Sequence, residues 1–77
     1  MSGVHSGMLF WWNGDKLTAG VRNGAEWFIW RMTEAQLPDV LRSIGEHAGR
    51  GAISWYQAAV LTREIRHELA IAQVYED

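Results

Sequence analysis

Between Gly7 and Met32 the chain runs through three stretches rich in aromatic and aliphatic residues, separated by two Asn-Gly pairs, Asn13-Gly14 and Asn23-Gly24. Asn and Gly both tolerate the positive φ that the two central residues of a type I′ turn require, so an Asn-Gly pair between such runs signals a β-hairpin. Three strands follow, over Gly7–Trp12, Asp15–Arg22 and Ala25–Met32, joined as an antiparallel meander. Beyond Met32 the apolar spacing changes from two to the three-and-four pattern of a helix. Thr33 and Gln36 form a capping box. Pro38 would delete a backbone bond as a fifth helical residue, so two readings stand: one helix over 33–49, or a short turn with the helix starting at about Leu37. Its stripe is Leu37, Val40, Leu41, Ile44 and Ala48, and it stops near Gly49, with His47 and Arg50 at the negative end of its dipole. A second helix is expected over 54–74, capped by Ser54 and Gln57, with Trp55 at its entrance and a stripe of Ala58, Leu61, Ile65, Leu69 and Ala72. The sequence thus predicts one small α+β domain spanning 1–77, of order β-β-β-α-α, with a loose leader at 1–6 and its meander over 7–32.

Two-residue type I′ loops set Trp12 opposite Asp15 and Arg22 opposite Ala25, and counting outward sorts the side chains onto two faces. One face holds Met8, Phe10, Trp12, Leu17, Ala19, Val21, Phe28, Trp30 and Met32. It is apolar almost throughout and is expected to meet the helices. The other gathers Leu9, Trp11, Lys16, Thr18, Gly20, Arg22, Trp27, Ile29 and Arg31. In this register Trp27 stands opposite Gly20, where its ring can cover bare backbone, and Trp11 stands beside Lys16 at cation–π distance.

That second face has two readings. If both helices lie on the first face, it is an apolar patch ringed by positive charge, and such patches mark interaction sites. If one helix lies on each side of the sheet, it is a second core stabilised by cross-strand aromatic pairs. The second helix carries a smaller face of Tyr56, Val60, Glu64, His67 and Ile71, which could build a homodimer or be scattered surface residues.

Composition narrows the function classes. The chain has 77 residues, near the lower limit for a self-sufficient core, and no cysteine, so neither a disulfide nor a thiolate metal site is available. Its apolar runs are too short to cross a bilayer and the start lacks a signal-peptide pattern, which predicts a soluble cytoplasmic protein. The net charge of −2, from seven bases and nine acids, disfavours a general nucleic-acid binder. Five tryptophans in so short a chain are an excess, and tryptophan is common in both small cores and interfaces.

Catalytic and metal chemistry find little support. His67-Glu68 begins like a zinc-protease helix, but Ile71 stands where the second histidine is needed. Glu64 and His67 make one Glu-x-x-His pair, where a di-iron bundle needs two pairs and two further glutamates. His5 and His47 have no partner at informative spacing. The serines read as leader, surface and cap residues, and the glycines at 45–51 lack a P-loop lysine. No cofactor is implied and no enzyme is expected.

Two functions remain. The first is a non-enzymatic protein-binding module, an accessory or inhibitor of the size that phage and mobile elements use against host complexes. It would bind through Trp11, Lys16, Arg22, Trp27, Ile29 and Arg31, since Trp and Arg dominate interface hot spots. The second is nucleic-acid binding through the same face. In its order of elements the chain resembles the three-stranded DNA-reading sheets of plant transcription factors and phage integrase arm-binding domains. Lys16, Arg22 and Arg31 would be the contacts, and the net acidity with only three cations predicts weak, strongly salt-dependent affinity.

Overall fold

Two tight turns fold the first half of the chain into a meander of β1 (Met8–Asn13), β2 (Lys16–Asn23) and β3 (Glu26–Met32), antiparallel and in the order β1-β2-β3. The computed structural model describes residues 7–76, and their side chains as far as residue 72; the leader expected at 1–6 lies outside the described residues. A short 3-10 turn at Glu34–Gln36 leads into α1 (Leu37–Gly49), and α2 (Trp55–Glu76) follows. Of the two readings around Pro38, the structure takes the short turn. Pro38 sits in the first turn of α1, where a missing N–H leaves no helix bond unmade. The second helix runs on past Val74 to Glu76.

The hairpins differ from the expected register by two residues. Asn13 pairs with Lys16 and Asn23 with Glu26, so the connecting residues are Gly14-Asp15 and Gly24-Ala25. Only the glycines take positive φ, +65° at Gly14 and +69° at Gly24, and no other residue type does so among the described residues. Positive φ at the first connecting residue alone is the type II′ pattern rather than type I′, and it places each asparagine at the end of its strand. The expected pairs Trp12–Asp15 and Arg22–Ala25 are thereby replaced by Trp12–Leu17 and Arg22–Trp27. A shift of two preserves the alternation of side chains, so both faces keep the membership read from the sequence.

Both helices lie on one face. The core joins Leu17, Ala19, Val21 and Met32 of the sheet to Val40, Ile44 and Ala48 of α1 and to Ala58, Leu61, Ile65 and Leu69 of α2. Full burial of side chains such as Leu17, Ile44, Leu61 and Ile65 contributes about 1.5–3 kcal/mol each. Ile53, in the loop between the helices, is buried in the same cluster. With Ser54 as N-cap, Ile53 and Ala58 occupy the two positions of a hydrophobic staple.

Polar contacts tie the layers together. The Trp30 indole N–H donates to Ser43 Oγ on α1 at 2.9 Å, and the Trp12 indole N–H donates to Glu68 Oε1 on α2 at 3.1 Å. His47 packs edge-on against the rings of Phe28 and Trp30, its Nδ1 2.8 Å from the Ser43 carbonyl, which therefore accepts its proton. At the start of α2 the Gln57 backbone donates to Ser54 Oγ, and the Gln57 side chain accepts from the Ser54 N–H, both at 2.9 Å. The amide of Gln57 then donates to the Arg22 carbonyl at 2.9 Å, and Asn23 donates to the Ala52 carbonyl. The second hairpin is thus fastened to the loop between the helices.

Candidate interaction surface

With both helices on one side, no element among the described residues covers the opposite side of the sheet. Its side chains stand in rows set by the register. Trp11, Thr18 and Arg31 form one row, Leu9, Gly20 and Ile29 the next, and Arg22 and Trp27 the third. Trp11 is 47% exposed, Trp27 41% and Ile29 50%, well beyond what a second core would allow. The second-core reading of this face is therefore overturned. Thr18, by contrast, is only 2% exposed, on the central strand between its register partners Trp11 and Arg31.

The candidate residues Trp11, Lys16, Arg22, Trp27, Ile29 and Arg31 do share this face, but their pairings differ from those expected. Trp27 stands opposite Arg22 rather than Gly20. The Arg22 guanidinium lies 5.7 Å from the centre of the Trp27 ring, a cation–π contact. Trp11 stands opposite Thr18, and Lys16 opposite Asn13 at the end of the ladder, so Lys16 is a diagonal neighbour of Trp11. Gly20 is flanked by Leu9 and Ile29. A Cβ built on it would meet Leu9 Cδ1 at 3.0 Å and Ile29 Cγ1 at 3.4 Å, so these two side chains lean together over bare backbone. Leu9, placed on this face by alternation alone, thereby joins the candidate surface; what the observed register adds is its position beside Gly20.

Charge is segregated. Lys16, Arg22 and Arg31 are three of the seven cations, and among the described residues no carboxylate occupies an outer-face position of the three strands. Among the described residues the ion pairs are Arg42–Asp39 at 3.3 Å and Arg63–Glu64 at 3.8 Å, both within the helix layer. The outer face thus presents positive charge around apolar surface although the whole chain is acidic.

The five residues expected on a second face of α2 do not form a comparable patch. Val60 packs partly against the core, and Glu64 pairs with Arg63. His67 is exposed, leaving Tyr56 and Ile71 as exposed apolar side chains, ~22 Å apart along the helix at 1.5 Å per residue. On the far side of the helices an open groove of about 270 Å³ is lined by Leu41, Gly45, Ala59, Thr62 and Trp55, the last 66% exposed. Among the described residues no three His, Asp or Glu side chains gather as a metal site, and no helix is long and apolar enough to cross a membrane.

Among the described residues these features define a two-layer α+β domain with one open sheet face. Compared with protein-family models, curated proteins and solved structures, the chain finds no match.

Proposed function

We propose that this protein is a small non-enzymatic binding module that docks another protein on the open face of its sheet. In this reading it is a cytoplasmic accessory or inhibitor protein, of the kind phage and mobile elements direct at host complexes. The observation that carries the reading is the uncovered face itself: Trp11, Trp27 and Ile29 exposed together, with Arg22 and Arg31 among them. Exposed apolar surface of this kind has a cost in solubility that a binding role offsets, and Trp and Arg are the side chains that dominate interface energetics.

A second reading is nucleic-acid binding by the same face, favoured by three cations without a carboxylate. Capture from a host lysate with and without nuclease separates the two. Capture that resists nuclease and is lost in the double variant Trp11→Ala/Arg31→Ala supports a protein partner. Nuclease-sensitive capture selects the second reading. Capture that survives the double variant places the site elsewhere, with Tyr56 and Ile71 of α2 as the next residues to change. Circular dichroism establishes that the variant is folded, and Arg31→Glu, at an exposed position of β3, serves if the double variant is not.

A further inference from the structure

Four apolar side chains of the outer face lie on one diagonal: Trp11 and Leu9 on β1, then Ile29 and Trp27 on β3, with Gly20 at the midpoint. We infer that the occupant of this stripe is an acidic amphipathic helix of a partner protein, a deepening that rests on the protein-binding reading above. Three observations lead there.

The stripe lies on a face, not along an edge. A segment at a sheet edge can borrow the sheet's backbone hydrogen bonds, whereas a segment laid on a face meets only side chains. It must satisfy its own N–H and C=O groups, and a helix does so within itself. The same sheet already packs two helices on its inner face.

The length suits a helix. Trp11 and Trp27 are four residues along the strands and two strand spacings apart in the register, a diagonal of ~16 Å at 3.3 Å per residue and 4.8 Å per strand. That is about three helical turns, over which apolar residues spaced three and four apart make a continuous stripe.

Charge fixes the chemistry of the flanks. Lys16, Arg22 and Arg31 border the stripe, and among the described residues no carboxylate shares their face of the strands. Glutamate or aspartate beside the partner's apolar stripe would do so. A second copy of this chain would instead bring a second set of the same three cations against the first, with unfavourable like-charge contacts. Arg22 is already held over the Trp27 ring, which lowers the ordering cost of its pairing.

The test uses three probes: a synthetic helix of about 18 residues, long enough to be helical when docked, with leucines on one face and glutamates beside them; its twin with lysines for glutamates; and oligo-dT. The readout is the indole N–H signals of the tryptophans by NMR, with Trp55 as internal control. The acidic helix is expected to move the Trp11 and Trp27 signals and leave Trp55 in place. Lys16→Glu/Arg31→Glu is expected to weaken it at least about tenfold and to confer binding of the lysine twin. Arg31→Glu alone repeats the test with a smaller perturbation of the fold. Unmoved Trp11 and Trp27 signals, or equal binding of both twins by the unsubstituted protein, overturn the inference. If nuclease-resistant capture is nevertheless lost in Trp11→Ala/Arg31→Ala, the protein-binding reading stands and only the helix falls. Displacement of the acidic helix by oligo-dT at the same indoles overturns both.

Discussion

At Gly20 the backbone lies buried beneath Leu9 and Ile29, its partners in register on either side. A glycine inside a strand costs about 0.5–1 kcal/mol in chain entropy relative to alanine, so Gly20→Ala recovers some stability. Against that, the new methyl meets Leu9 Cδ1 at 3.0 Å and Leu9 Cγ at 3.2 Å, closer than carbon atoms pack. Leu9 sits half-buried on a face with no helix above it, so its side chain can swing outward. The two effects nearly cancel: urea denaturation should place Gly20→Ala within about 1 kcal/mol of the unsubstituted protein. Recognition should change more than stability, because parting Leu9 from Ile29 breaks the diagonal at its midpoint. Titration of the Trp11 and Trp27 indole signals with the acidic helix should then show at least about fivefold weaker binding. Equal binding by the two proteins would remove Gly20 and Leu9 from the site.

Among the elements, α2 depends on its first turn. Gln57 both closes the capping box with Ser54 and reaches the Arg22 carbonyl on the second hairpin. Ser54→Ala removes only the acceptor for the Gln57 N–H and should cost ~1 kcal/mol. Gln57→Ala removes the reach to β2 as well and should cost ~1–2 kcal/mol, a larger fall in urea midpoint than for Ser54→Ala. The reverse order would mean that the hairpin is held by other contacts. The capping box of Ser54 and Gln57 was legible in the sequence, as were the reach of the Gln36 side chain back to the Thr33 N–H and the two helical stripes, because each depends on residues three or four apart. The membership of the sheet faces was legible for a similar reason: alternation survives any even shift of register. The pairings were not, since Asn-Gly fits either the centre of a type I′ turn or the entry to a type II′ turn. Only the backbone angles at Gly14 and Gly24 distinguish them, and with them whether Trp27 meets Gly20 or Arg22. Nor could one-sided stripes on two helices reveal that both cover the same face, which decides whether Trp11 and Trp27 are core or surface.

For the molecule as a whole, the net charge of −2 conceals a cationic sheet face and an acidic remainder. Salt should therefore act in opposite directions on two associations of the same surface. Docking of an acidic partner draws on attraction that weakens as the screening length falls from ~10 Å at 0.1 M salt to ~3 Å at 1 M. Self-association of two outer faces is opposed by their like charges and favoured by their apolar stripes, so the same screening should promote it, with high salt strengthening apolar burial further. Sedimentation velocity should find a monomer at low salt and a dimer fraction that grows toward 1 M, while binding of the acidic helix declines over the same range. Trp27→Ala, which removes one end of the stripe, should abolish the high-salt dimer. A dimer already present at low salt, and dissociated by Ile71→Glu but not by Trp27→Ala, would place the contact on α2 instead. In that event the open sheet face would remain free in the dimer, and the two surfaces would serve different partners.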